Sequence, residues 1–247
     1  MNNDYVMKDR YKEIDYRWYR NGKSNKIIVS GSGSGPTRKL TINSILENAL
    51  EKYNLSMIHF DIQNGDFIQT VGKMSEKFHD IIELSKTEGY GIDKIGIMGT
   101  SLSGLPAMIA SSEYKNMNLF LNSPMIYMQE MADKYLNTFH RYYWRVRRTI
   151  KKDGRKAHYS TYSTWRDTEL AEIFERLKKK SNKIHILHGD GDDEILLDYS
   201  LRFQESMEEN SVKSDLTILE GVAHNLHKNY LISDFTSNLL CDFFLSK

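Results

Sequence analysis

The 247-residue sequence predicts an α/β fold, a mostly parallel central sheet flanked by helices. Two observations predict it. Short apolar runs rich in Ile, Leu and Met alternate with longer helix-patterned segments through most of the chain. About two fifths of the way along, one such run ends in a tight small-residue turn that opens directly into a helical pattern. At this length most apolar surface can be buried, so neither metals nor disulfides are needed to hold the fold.

The elements follow in order. Tyr11 to Arg20 alternates polar with aromatic or aliphatic residues, and Lys26-Ile27-Ile28-Val29 resumes an apolar run after Asn21-Gly22. An Asn-Gly pair between two such runs predicts an antiparallel hairpin opening the sheet. Glycine-rich Gly31 to Pro36 comes next, then a helix from about Ile42 to Tyr53 and a strand over Met57 to Phe60, ending at Asp61. Val71 to Lys86 reads as a helix, Lys94 to Met98 as a strand, Leu102 to Ser112 as a helix and Met117 to Leu121 as a strand. Lys183 to Leu187 and Leu216 to Leu219 are the last strands, with helices over Tyr199 to Glu209 and Tyr230 to Leu245. This pattern divides the chain into a core, 1–125 with 181–247, and a helical cap insertion, 126–180, in which no strand is expected. The insertion is placed over the carboxyl edge of the sheet, where open α/β folds bind ligands.

Composition narrows the function. A net charge of +1 excludes nucleic-acid binding through a global basic field. Cys241 is the one cysteine and lies in an apolar helical pattern, so it reads as a buried structural thiol and no internal disulfide is expected. The N-terminus shows no basic segment followed by an apolar one, and no apolar stretch approaches the roughly 20 residues that cross a bilayer. A cytoplasmic location without membrane attachment is therefore expected.

Chemistry concentrates in three turns. Gly99-Thr100-Ser101-Leu102-Ser103-Gly104 joins a strand to a helix, the setting of a G-x-S-x-G nucleophile elbow, with Ser103 at the second glycine position. A serine hydroxyl needs a base to accept its proton, and the base is commonly a histidine held by a carboxylate. His188-Gly189-Asp190-Gly191-Asp192-Asp193 and Gly221-Val222-Ala223-His224 follow two later strands. All three turns fall on one edge of the sheet, in the order Ser, Asp, His. Alone, Ser101 reads as a helix N-cap and Asp192 as part of a solvated acidic turn. No metal is expected there, because the spacing does not match a calcium loop.

In these three turns the chain resembles the α/β-hydrolase superfamily over nearly its whole length. The resemblance implies Ser101 as nucleophile, His224 as base and Asp192 as acid, four residues after His188, with Asp193 as the alternative acid. It implies oxyanion donors at the backbone N–H of Leu102 and at that of Ser32, in Ser30-Gly31-Ser32-Gly33. The implied reaction is hydrolysis of a small-molecule carboxylic ester without a cofactor. A thioesterase or acyltransferase on the same triad is the alternative, as is a scaffold that only binds. Ser103 in place of glycine is expected to be tolerated, since the position chiefly requires a small side chain.

Two further segments invite rival readings. Gly31 to Pro36 suggests a dinucleotide loop, but the third glycine position falls on Pro36 or Arg38. The insertion carries Arg141, Arg145, Arg147, Arg148, Lys151, Lys152, Arg155 and Lys156 beside Tyr142, Tyr143 and Trp144. It reads first as a solvated helix face. As a substrate lid it would use Arg141, Tyr143, Trp144 and Arg145 against an anionic ester or partner.

Overall fold

The computed structural model describes residues 6–33, 44–63, 67–135, 149–152, 155–158, 161, 164–165, 168–224 and 230–246. Eleven strands and seven α-helices lie within them. The strands are β1 (Val6–Tyr11), β2 (Ile14–Tyr19), β3 (Ile27–Gly31), β4 (Ser56–Phe60), β5 (Phe67–Ile68), β6 (Ile95–Thr100), β7 (Asn118–Asn122), β8 (Thr149–Lys152), β9 (Arg155–His158), β10 (Lys183–Gly189) and β11 (Ser214–Leu219). The helices are α1 (Ser44–Lys52), α2 (Val71–Thr87), α3 (Gly104–Ser111), α4 (Met128–Tyr135), α5 (Leu170–Lys180), α6 (Leu197–Glu209) and α7 (Tyr230–Leu245).

Eight strands form the main sheet in the order β1-β2-β4-β3-β6-β7-β10-β11. Only β1–β2 and β2–β4 pair antiparallel; the rest is parallel. The chain winds from β3 to β4, then crosses back over β3 to β6 and continues the other way. The direction therefore reverses between β3 and β6, which opens a crevice at their carboxyl ends.

Successive residues of a strand face opposite sides, and here both sides are apolar. Val29, Ile58, Ile97, Leu119 and Ile186 pack with Phe78, Met108, Phe174 and Phe203 of α2, α3, α5 and α6. Their neighbours Ile28, Met57, Phe120 and Leu187 pack with Leu50 of α1 and with Leu240, Cys241 and Phe244 of α7. Gly96 makes room for α7, since a Cβ there would stand 2.3 Å from the Phe244 ring. Cys241 is fully buried, and burial pushes its thiol up to about 12.

The structure corrects two sequence expectations. The hairpin lies at Lys12-Glu13, not at Asn21-Gly22: β1 pairs with β2, and β2 and β3 are separated by β4. Lys12 and Glu13 both adopt positive φ, 44° and 66°, the backbone of a two-residue hairpin turn without the residues that advertise one. The second correction concerns 126–180, which contains β8 and β9. They pair antiparallel with each other, and β9 pairs parallel with β5, making a separate three-stranded sheet. Their sequences, Thr-Ile-Lys-Lys and Arg-Lys-Ala-His, do not alternate apolar with polar, so only the Asp-Gly between them signals a hairpin. At the end of the same stretch, α5 buries Ile173, Phe174 and Leu177 in the sheet's own core.

Candidate active site

The elbow is built from close approaches. β6 ends at Thr100, Ser101–Ser103 form a single 3-10 turn, and α3 starts at Gly104. Ser101 sits at φ 52°, a left-handed conformation that costs a non-glycine residue about 1 kcal/mol or more. A Cβ at Gly99 would lie 2.7 Å from Ala107 Cβ, and one at Gly104 would lie 2.6 Å from Pro124 Cβ. The segment after β7 closes the turn from outside: the Met125 N–H donates to the Ser101 carbonyl at 2.9 Å.

Ser103, the departure from the glycine pattern, is fully buried and hydrogen-bonded. Its hydroxyl accepts from the Thr100 N–H at 2.7 Å. It shares its own proton between the carbonyls of Gly31 at 2.9 Å and Thr100 at 3.0 Å. The reciprocal bond, from the Ser103 N–H to the Thr100 side chain, completes a capping box. Helix starts leave N–H groups without intrahelical partners. Here Ser103 N–H is capped and Gly104 N–H reaches the Ser101 carbonyl. Leu102 N–H lies between Ser101 and these two.

His224 arrives from the far side of β10. Its turn passes over the end of that strand, where a Cβ at Gly189 would lie 2.0 Å from the Val222 carbonyl oxygen. Asp190 accepts the Gly221 N–H at 2.6 Å and ties the two turns together. His224 Nδ1 is then 2.7 Å from Asp192 Oδ2, and its Nε2 is 3.2 Å from Ser101 Oγ. An ionised carboxylate only accepts, so Nδ1 carries the proton and Nε2 is left to accept from the serine hydroxyl.

Asp192 is buried, and its other oxygen accepts the N–H groups of Glu194 at 3.0 Å and Ile195 at 2.8 Å. Burial alone would raise its pKa. Hydrogen bonds from His188, His224 and Ile195 outweigh it and hold the carboxyl well below the usual range. For His224, burial disfavours the imidazolium, but the Asp192 bond and the charges of Asp192, Glu194 and Asp193 prevail and raise its pKa. Asp193 itself is exposed and acts on His224 only through its charge. Among the described residues no group of three His, Cys, Asp or Glu side chains is placed to hold a metal.

The expected donor at Ser32 is corrected. Its N–H donates to the Phe60 carbonyl at 3.0 Å and its hydroxyl accepts from Ile62 N–H at 3.2 Å. Both bonds extend the β3–β4 pairing, so this N–H is spent within the sheet. Gly33 is the residue beside the nucleophile: a Cβ there would be 3.5 Å from Ser101 Cβ. Arg141, Tyr143, Trp144 and Arg145 lie outside the described residues, as do residues 34–36.

Two residues were missed in the sequence. His188 is fully buried with Nε2 2.8 Å from the Ile195 carbonyl and 3.3 Å from Asp192 Oδ2. Two acceptors at Nε2 place the proton there, and Nδ1 accepts from Ser200 Oγ at 2.6 Å. Its place in the His-Gly-x-x-Asp turn was the available signal. Lys77 of α2 donates to the carbonyls of Asp61 at 3.1 Å and Gln63 at 2.8 Å, anchoring the loop after β4. Burial lowers its pKa to about 8.

No protein-family model matches the sequence, and no curated protein matches it. Solved structures do. Est1E from Butyrivibrio proteoclasticus with ferulic acid bound superposes at TM-score 0.73 and 16% identity, over 97% of this chain and 100% of that one. The chain has the α/β-hydrolase fold. An esterase domain from a Rhodothermus marinus protein shares this fold at TM-score 0.68 and 10% identity, over 96% of both chains. The α/β-hydrolase fold also relates it to the acylaminoacyl peptidase of Pyrococcus horikoshii, at TM-score 0.71 and 14% identity, over 97% of this chain and 41% of that one.

Proposed function

We propose that this protein is a serine hydrolase of carboxylic esters that works through an acyl-enzyme. The observation that carries the reading is the unbroken chain from Ser101 Oγ through the His224 ring to Asp192, at 3.2 and 2.7 Å. Ser101 attacks the ester carbonyl carbon while its proton passes to His224 Nε2. The tetrahedral intermediate collapses, the C–O bond to the alcohol breaks, and His224 returns the proton to the leaving oxygen. Water then attacks the acyl-enzyme with His224 again as base; the acid is released and Ser101 regains its proton. Asp192 fixes the ring's tautomer and stabilises the imidazolium in both halves.

Negative charge develops on the carbonyl oxygen and needs preorganised donors. Leu102 N–H supplies one, at the start of the turn behind Ser101. With Ser32 N–H bonded to Phe60, the second donor is assigned to Gly33 N–H, on the loop that abuts Ser101. Support for a carboxylic acyl group comes from the ferulic acid held by Est1E, which shares the fold.

Pre-steady-state turnover of a chromogenic carboxylic ester tests the reading. A burst of released alcohol equal to the enzyme concentration is expected, followed by slower turnover. His224→Ala should lose both phases while keeping its circular dichroism; retained turnover would place the base elsewhere.

A further inference from the structure

Two carboxylates face the two nitrogens of the His224 ring. Asp192 holds Nδ1, while Glu194 Oε2 lies 4.0 Å from Nε2, the nitrogen that accepts the Ser101 proton. The Asp192 side chain is fully enclosed and both its oxygens are hydrogen-bonded, so its charge is spent within the protein. The Glu194 side chain is 59% exposed and borders the solvent from which a substrate arrives. Its backbone accounts for its position. The Glu194 N–H donates to Asp192 Oδ1 at 3.0 Å, so the chain curls around the buried acid and brings residue 194 back toward the ring.

The surrounding sequence adds charge of the same sign. From His188 to Leu201 the chain carries Asp190, Asp192, Asp193, Glu194 and Asp198 and no lysine or arginine. Asp192, Glu194 and Asp193 are the charges that act on the His224 ring, and all three are negative.

Geometry couples Glu194 to one half of the ester. To return its proton, Nε2 must come within about 3.2 Å of the leaving oxygen, which puts that oxygen no more than about 7 Å from Glu194 Oε2. Groups attached to the oxygen can come closer still. The alcohol is the half that must touch Nε2, so it is the half whose charge Glu194 meets.

We propose that Glu194 is a specificity-determining residue that selects esters whose leaving alcohol carries an organic cation and disfavours those whose alcohol carries an anion. The inference rests on the hydrolase reading and deepens it by naming the charge of the alcohol.

The test compares acetate esters of three alcohols of similar size: 2-(trimethylammonio)ethanol, its uncharged carbon isostere 3,3-dimethylbutanol, and 4-hydroxybutanoate. Release of acid is followed by titration at constant pH. Wild type is expected to favour the cationic ester over the neutral one by about threefold to fivefold in kcat/KM, the scale of one exposed ion pair. The anionic ester should fall below the neutral one by a similar factor. Both differences should shrink as salt is raised, because the carboxylate is exposed. Glu194→Gln keeps the backbone N–H that serves Asp192 and should bring the three esters close to parity, and Glu194→Lys should invert their order. Ratios are taken within each enzyme, so any change in His224 that affects all three esters alike cancels. Equal kcat/KM for the three esters in wild type, or a preference that survives Glu194→Gln, would overturn the proposal while leaving the hydrolase reading in place. A wild type that turns over none of the three would overturn the hydrolase reading and the proposal with it.

Discussion

The Ser103 hydroxyl lies 2.9 Å from the Gly31 carbonyl and joins the turn that carries Ser101 to the end of β3. The residue that breaks the elbow's glycine pattern thus fastens the two strand ends between which the crevice opens. Ser103→Gly restores the pattern but leaves the Thr100 N–H and the Gly31 carbonyl buried without this partner. It should destabilise the protein by about 1–3 kcal/mol, read as a lower urea midpoint at unchanged m. A midpoint equal to wild type would mean that Ser103 merely fills the space.

The pH profile of kcat/KM is expected to show an acid limb above pH 6.5, because His224 must be neutral to act and its pKa is raised. Asp192→Asn removes the largest of the raising causes and leaves burial opposed only by the charges of Glu194 and Asp193, so the limb should move down. kcat should fall by about 10⁴, as when the equivalent carboxylate of a serine protease is neutralised. The same pair sets the pH dependence of stability. Asp192, with its pKa depressed, contributes stability above about pH 3.9 that is lost as pH falls toward its folded value. His224, with its pKa raised, contributes below about pH 6.5 and loses that contribution as pH rises through its folded value. Urea unfolding of wild type and Asp192→Asn across this range checks both signs.

His188 is expected to act as a positioning residue for the acid. His188→Ala removes the donor at the Ile195 carbonyl and frees the turn that aims Asp192 at His224. A displacement of about 1 Å costs on the order of 10² in rate, so kcat should fall by roughly that factor at unchanged KM. His188→Gln, which keeps a donor near Nε2, should recover part of the loss. If the folded Ala variant kept its kcat, His188 would serve packing alone.

How much of this was legible in the sequence follows from how local each signal is. The elbow, the two later turns and the strands that carry them are written in contiguous residues, and the strand and helix limits fall within a few residues of those expected. Features that depend on pairing between distant segments were hidden. The Lys12-Glu13 turn has no glycine or asparagine, and the real partner of β2 beyond it is β4, some forty residues away. The Ser30-Gly31-Ser32-Gly33 motif points to Ser32, but the use of its N–H is decided by Phe60, on another strand. β8 and β9 carry lysine and arginine where alternating apolar residues would mark a strand, so charge concealed their conformation.

The central claim is that Ser101 is the nucleophile, and covalent labelling tests it most directly. Intact mass spectrometry after reaction with a fluorophosphonate should show wild type gaining one adduct, with peptide mapping placing it on Ser101, and Ser101→Ala remaining unmodified. An unlabelled wild type, or equal labelling of Ser101→Ala, would contradict the account.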